Sequence, residues 1–256
     1  MRYFIHLAYN GKTFHGWQKQ PNAPSVQAEI EEKLSLLLRQ EIEVVGCGRT
    51  DTGVHAKQYY LHFELDQTVE TEKLAFQLNA ILPKDISIYE VFEVDDQTHA
   101  RFSATQRTYE YWISTRPDPF AHELSFLHTK PLNIIAMNEA AQLVLGHTDF
   151  ECFSKVHTDV KTFNCKITQA VWVERENHKL VFTISADRFL RNMVRAIVGT
   201  LLNVGKGKIT VDDVQKILNS KNRSEAGESV PAHGLFLTNI SYPKGVVFTA
   251  KQPSNN

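Results

Sequence analysis

The sequence has few cysteines, no strong excess of charge and no long apolar run, and each shortage excludes a class of protein. The three cysteines, Cys47, Cys152 and Cys165, lack Cys-x-x-Cys spacing, so neither a disulfide framework nor a cysteine-based zinc site is indicated. No apolar run has the length of a membrane span, and the N-terminus does not resemble a signal peptide. We therefore expect a cytoplasmic protein, and the 42% hydrophobic and 22% charged residues are typical of a globular enzyme.

The net charge of −1 hides an uneven distribution of acidic and basic residues. The stretch Glu64–Asp96 has nine acidic and two basic residues, whereas Asp187–Lys208 has five basic residues and one acidic residue. One interpretation is a basic face that attracts phosphates, with an acidic face turned away. The other is that both stretches are ordinary solvated faces of amphipathic elements. The eleven histidines are scattered, so we expect no metal site.

Hydrophobic periodicity predicts a strand–helix–strand–loop–strand–helix–strand order in the first part of the chain. This is the order of the ferredoxin-like unit that occurs in many RNA-binding modules. The predicted strands are Arg2–Tyr9, a short one at Ile42 and Val44, Gln58–Phe63 and Ile86–Val94, and the predicted helices are Val26–Arg39 and Leu74–Ile81.

The second part of the chain repeats this order with longer insertions. Its predicted strands are Arg107–Ser114, Lys166–Glu174, Leu180–Ala186 and Leu235–Tyr242, and its predicted helices are Asn133–Leu145, one starting at Phe189 and a short one near Val211–Asn219. The join at His99–Gln106 is too short and mixed in composition for a flexible linker. We therefore expect an α+β fold with two ferredoxin-like halves, residues 1–104 and 105–256, that share one sheet.

A glycine-rich loop, Cys47–Lys57, carries one acidic side chain, Asp51, close to Arg49. Glycines at this density indicate positive φ angles or close approach of a ligand. A carboxylate beside a guanidinium in such a loop could be held ionised and aimed at a substrate. Two alternatives remain: an Asx-type turn with no chemistry, and the Asp-Thr-Gly of a protease whose second carboxylate would come from a dimer partner.

A second candidate is the predicted helix after Ala186, in which Arg188, Arg191 and Arg195 have the spacing of one helical face. They could contact RNA phosphates, or one arginine could turn inward to pair with a buried carboxylate. The third candidate is the strand Arg107-Thr-Tyr-Glu-Tyr-Trp, whose alternating aromatic rings suit either core packing or stacking on an unstacked base.

Several sequence blocks follow one another over nearly the whole chain. They include Tyr9-Asn-Gly-Lys-Thr-Phe-His-Gly-Trp-Gln, Gly48-Arg-Thr-Asp-Thr-Gly-Val-His-Ala, Leu78-Asn-Ala-Ile-Leu-Pro, Arg107-Thr-Tyr-Glu-Tyr, Phe189-Leu-Arg-Asn-Met-Val-Arg and Pro231-Ala-His-Gly-Leu. In these blocks the chain resembles the bacterial tRNA pseudouridine synthase A family. Thr52 is a departure, because the family commonly has alanine there.

The resemblance implies a cofactor-free isomerase that converts uridine to pseudouridine in the anticodon stem-loop of tRNA. It also implies the pseudouridine synthase fold, in which a largely antiparallel sheet is flanked by helices and the catalytic cleft lies between the halves. The resemblance further implies a homodimer, with the RNA spanning both subunits. The alternatives are a non-catalytic RNA-binding protein of the same fold, and a hydrolase with a dimeric carboxylate pair.

The resemblance also assigns roles to individual residues. Asp51 would be the catalytic carboxylate and Tyr109 the ring that stacks on the target base. Arg195 would pair with Asp51, and Arg49 would displace the uridine and fill the space it leaves. Leu235 would form an apolar wall under the base.

Overall fold

The computed structural model describes residues 1–155 and 160–244, and within them the chain forms nine strands and five α-helices. The predicted half 105–256 thus includes residues 156–159 and 245–256, which lie outside the described residues. The strands are β1 Arg2–Tyr9, β2 Val45–Gly46, β3 His55–Glu64, β4 Ile86–Val94, β5 Gln106–Ser114, β6 Phe126–Leu127, β7 Ile167–Arg175, β8 Lys179–Ala186 and β9 Leu235–Ser241. The helices are α1 Val26–Leu38, α2 Thr71–Ile81, α3 Ile134–Leu145, α4 Met193–Gly205 and α5 Val211–Ser220.

All nine strands belong to one sheet. Its main order is β4-β1-β3-β9-β5-β8-β7, with β2 beside β3 and β6 beside β5. The pairs are antiparallel except β3–β9 and β5–β6. Within each half the order is fourth, first, third, second strand, which is the ferredoxin-like arrangement. The predicted α+β fold, with two such halves sharing a largely antiparallel sheet, is confirmed.

The short strand predicted at Ile42 and Val44 lies later in the chain, at Val45–Gly46. Near its end β3 pairs with β2, and at its start it pairs with β9. The backbone of Val44 instead bonds to side chains of α1: its N–H donates to Glu31 Oε1 at 3.2 Å, and its carbonyl accepts from Gln27 Nε2 at 3.1 Å.

The helix predicted to start at Phe189 begins four residues later, at Met193. The Asp187 carboxylate accepts the backbone N–H groups of Lys166 at 2.8 Å and Arg188 at 2.7 Å, which holds this segment in a loop. Asn192 then has a positive φ of 67° immediately before the helix.

The expectation that three arginines share one helical face is therefore wrong. Arg188 and Arg191 precede α4, and only Arg195 lies on it.

Other helix starts follow the capping residues in the sequence. Ser25 accepts the N–H of Ala28 before α1, and Asn133 accepts that of Ala136 before α3. Thr210 and Asp213 form a capping box that starts α5. These capping side chains explain why α1, α3 and α5 begin close to their predicted starts.

Each half has its own hydrophobic core, and β9 contributes to both. Leu235 lies in the core of the second half, whereas Leu237 and Ile240 lie in the core of the first. Tyr109 on β5 packs against both cores. The side chains of β9 and Tyr109 are thus packed against residues of both halves. Among the described residues, no helix is long and apolar enough to cross a membrane.

One buried histidine makes the stability of the first half depend on pH. His62 is 4% exposed, and its Nδ1 accepts the backbone N–H of Ala100 at 3.1 Å. Burial, together with the nearby charges of Arg2 and His99, lowers the pKa of His62 to about 4. The folded protein therefore holds this ring neutral at pH values where the unfolded chain would protonate it.

We predict that the free energy of unfolding falls as the pH drops from about 6.5 to about 4. Because folding depresses the pKa of His62, the stability that depends on its neutral form is complete above the unfolded pKa and is lost as the pH falls through the folded pKa. For His62 alone the loss is roughly 3 kcal/mol. Urea unfolding at several pH values measures the slope of the free energy of unfolding against pH. His62→Asn keeps an acceptor at the δ position but does not titrate, so it should flatten the slope. An equal slope in both proteins would contradict the prediction.

Candidate active site

The segment leading to Asp51 is bonded to the first half at each end. The Cys47 N–H donates to the Tyr60 carbonyl at 2.8 Å, and the Tyr59 hydroxyl donates to the Gly48 carbonyl. The carbonyl of Thr50 accepts the Trp17 N–H at 3.2 Å. The Thr50 hydroxyl also shares a buried hydrogen bond of 2.8 Å with the hydroxyl group of Tyr9, in β1.

Asp51 opens a tight turn that leads into β3. The Val54 N–H donates to the Asp51 carbonyl at 3.1 Å, and Gly53 has the positive φ of 77° that the third position of a type II turn requires. Gly16 lies against this turn with a φ of 91°, and a Cβ there would collide with the Thr50 carbonyl. The local backbone therefore fixes where the Asp51 side chain begins.

Two guanidinium groups from the second half lie beside the Asp51 carboxylate. Arg195 Nη1 is 3.9 Å from Oδ2, and Arg191 Nε is 3.8 Å from Oδ1. The Asp51 side chain is 29% exposed, so it is neither sealed in the interior nor fully solvated. Arg195 is held in place by a 2.7 Å bond from its Nε to the Val230 carbonyl, whereas Arg191 is 61% exposed.

The structure places both arginines beside Asp51. Arg195 lies where the sequence predicts it, next to the carboxylate. Arg191, for which we expect an RNA-backbone contact, reaches the same carboxylate, and its contact with RNA stays a prediction. The shortened helix explains the position of Arg191, because the loop before α4 turns it toward Asp51.

Tyr109 lies half-buried on β5, with its ring against the edge of Phe189 at 5.2 Å. Burial raises its pKa well above the ordinary value, and the Cys47 thiol and the Asp51 carboxylate raise it further. The phenol is therefore neutral, and it lies close enough to Asp51 for the carboxylate charge to affect its pKa. A neutral aromatic ring beside an anchored carboxylate could support a planar ligand.

Among the described residues, the structure shows no hydrogen bond or ion pair between Asp51 and the other expected site residues, Arg49, Arg188 and Leu235. Arg49 is exposed, Arg188 is half-buried, and neither side chain forms a hydrogen bond or ion pair within residues 1–155 and 160–244. Leu235 is 5% exposed in the core of the second half. Its role as an apolar wall stays a prediction.

Sequence reasoning missed His55, which links the two halves behind the Asp51 turn. Its Nδ1 accepts the Gly11 N–H at 3.0 Å, so the proton is on Nε2, which donates to the His233 carbonyl at 3.1 Å. The ring also stacks on Phe236 at 4.7 Å, and burial lowers its pKa. The only sequence signal was its position four residues after Asp51, in the same block.

The site thus combines a partly exposed carboxylate with two cations and a neutral aromatic ring. Such a carboxylate can act as a nucleophile or as a general base. The arginines can also bind anionic groups such as phosphates. No group of three His, Cys, Asp or Glu side chains that could hold a metal ion occurs among the described residues.

Comparison with known proteins gives one family. A family model described as tRNA pseudouridine synthase matches residues 6–103 and 140–243. The first range contains Asp51 with its turn, and the second contains Arg191, Arg195 and β9.

Individual relatives are similar over almost their full length. The chain is 52% identical to tRNA pseudouridine synthase A of Parabacteroides distasonis, over 95% of this chain and 96% of that protein. It is 50% identical to the protein of the same name in Bacteroides fragilis, over 96% and 98%. For the Bacillus subtilis protein of that name the identity is 39%, over 94% and 99%.

Proposed function

Since the chain belongs to the tRNA pseudouridine synthase family, we infer that it isomerises uridine to pseudouridine in tRNA, with Asp51 as the catalytic carboxylate. The observation that carries the role of Asp51 is its geometry: an anchored turn presents a partly exposed carboxylate between Arg191 and Arg195. We propose the anticodon stem-loop as the target, as the sequence resemblance implies.

The reaction requires a C–N glycosidic bond to break, the uracil to rotate in place and a C–C bond to form. The base must first leave its stack, which costs a few kcal/mol. The oxygens of Asp51 would then serve the bond-breaking step, as a nucleophile or as a base. Holding the detached uracil until it has rotated requires contacts on its faces and edges.

We assign those contacts to the groups around Asp51. The Tyr109 ring stacks on the target base, and Leu235 forms the apolar wall beneath it. Arg195 orients the carboxylate, which the bond from its Nε to Val230 supports. Arg49, exposed and two residues before Asp51, displaces the uridine and fills its place.

Arg188 and Arg191 are assigned to the RNA backbone. Their position in the loop before α4, close to Asp51 for Arg191, supports contact with phosphates on either side of the flipped nucleotide. Arg191 can exchange its ion pair with Asp51 for a phosphate, because the pair is long and exposed.

We further propose that residues 1–104 and 105–256 are two ferredoxin-like units with the catalytic cleft between them, and that the protein is a cytoplasmic homodimer. The separate hydrophobic cores support the division, although β9 contributes to both. The basic area of one chain, five basic residues at 187–208, is modest for an RNA partner and supports an RNA surface that two subunits share. Light scattering tests the dimer, and a mass of one chain would contradict it.

For Asp51→Ala we predict that pseudouridine formation falls by about 10³-fold or more, because the reacting group is removed. The assay incubates purified protein with unmodified tRNA and maps pseudouridine chemically. Asp66→Ala, a change of an exposed aspartate elsewhere in the first half, should retain activity. If Asp51→Ala stays active, Asp51 is not the catalytic group; if wild type forms no pseudouridine but still binds tRNA, the RNA-binding alternative is correct.

For Tyr109 we predict that Tyr109→Phe retains tRNA binding and that Tyr109→Ala weakens it by about 5- to 150-fold. The ring face provides the stacking, which contributes about 1–3 kcal/mol per base. Binding is measured by titration with tRNA at a temperature where melting curves show each variant folded. Tyr89→Ala, which removes an exposed ring on β4, is the control. Wild-type tRNA affinity in Tyr109→Ala would contradict the prediction, and wild-type turnover by this variant would exclude the stacking role.

For Arg188→Glu and Arg191→Glu we predict weaker tRNA affinity and a flatter dependence on salt. Each lost phosphate contact lowers the slope of log affinity against log salt by roughly one. Binding is titrated at several salt concentrations, with Arg175→Glu as a charge-matched control at the exposed end of β7. An unchanged slope would place the RNA elsewhere on the protein.

A further inference from the structure

Arg107, at the start of β5, uses its guanidinium to bind four backbone carbonyls. Its Nη1 donates to Ala104 at 2.8 Å and to Asp187 at 2.9 Å. Its Nη2 donates to Arg101 at 2.6 Å and to Cys47 at 3.2 Å. The side chain is partly buried, and these bonds use all four of its terminal N–H groups.

The four carbonyls belong to three separate segments that meet near Asp51. Cys47 begins the segment that ends in Asp51, and Asp187 begins the loop that carries Phe189 and Arg191. Arg101 and Ala104 lie in the join between the two halves. One planar group therefore contacts both loops of the site and the chain between the halves.

This contact differs from the other bonds of residues 47–50. Those bonds go to Tyr9, Trp17, Tyr59 and Tyr60, which all belong to the first half. Within residues 1–155 and 160–244, the Asp187 side chain and N–H bond only to Lys166 and Arg188, which belong to the second half. Among the described residues, Arg107 is thus the hydrogen-bonded bridge between these two loop starts.

We propose that Arg107 is a positioning residue of the isomerase, which sets the loop of Asp51 against the loop of Arg191 and Phe189. Its effect on catalysis rests on the function proposed above. Guanidinium suits this role because its donors point in fixed directions in one plane, whereas a lysine ammonium has only three donors and no planar fork. A shift of about 1 Å between the loops would separate the carboxylate from the base, and errors of that size can reduce a rate about 10²-fold.

The test is Arg107→Lys, which keeps the charge but loses the fork, with Arg175→Lys as the control at an exposed site. We expect kcat for pseudouridine formation to fall about 10²-fold, with KM for tRNA nearly unchanged. Hydrogen exchange should accelerate in peptides covering residues 47–53 and 187–191 and stay unchanged in the helices. Arg175→Lys should match wild type in both measurements.

A wild-type kcat for Arg107→Lys, or unchanged exchange in both loops, would overturn the proposal. Loss of tRNA affinity with kcat retained would also overturn it, since that result assigns Arg107 to RNA contact. Arg107→Ala provides a second test: added guanidinium ion should restore part of its kcat, and no restoration in a folded variant counts against positioning. Hydrogen exchange needs no turnover, so it tests the bridge even if wild type forms no pseudouridine and the proposed function fails.

Discussion

The pairing of β9 with β3 is the constraint on which the site depends. β9, at the end of the second half, lies parallel to β3, the strand that follows the Asp51 turn. The two strands pair at His55–Phe236 and Ala56–Leu237. The opposite edge of β9 pairs with β5, which carries Tyr109. Without β9 in this place, the carboxylate and the aromatic ring would belong to separate sheets.

Because of this pairing, the site is assembled from both halves. Asp51 comes from the first half, and the guanidinium groups beside it come from α4 and the preceding loop of the second. His55 also connects the two halves, because its neutral ring accepts the Gly11 N–H of the first half and donates to the His233 carbonyl of the second. Tyr109 packs against both cores, so the proposed stacking surface cannot shift with one half alone. A rigid joint of this kind suits a reaction in which a detached base must turn without escaping.

The sequence predicted the regular elements well where local patterns and caps decide them, as for β1, β4 and α1. It failed where a side chain from elsewhere took over backbone bonding. The backbone of Val44 bonds to α1, and Asp187 holds the loop that delays α4.

In the candidate site, too, local sequence patterns predicted some residues and missed those that depend on long-range contacts. The loop pattern indicated Asp51, but the pairing with Arg195 was an expectation from family resemblance. The place of Arg191, the bridge through His55 and the four carbonyls on Arg107 depend on long-range contacts that no local spacing encodes.

The distances at Asp51 suit the catalytic role that we propose for it. At 3.8 and 3.9 Å the arginines are near enough to attract and orient the carboxylate, but too far for the short bidentate bonds of a closed ion pair. Among the described residues, no hydrogen bond reaches either Asp51 side-chain oxygen. A tightly paired carboxylate would have to break those bonds before it met a substrate. Here both oxygens keep lone pairs free, because the two cations do not hold them in short hydrogen bonds. For the role proposed for Asp51, this arrangement orients the carboxylate and leaves its oxygens available to a substrate.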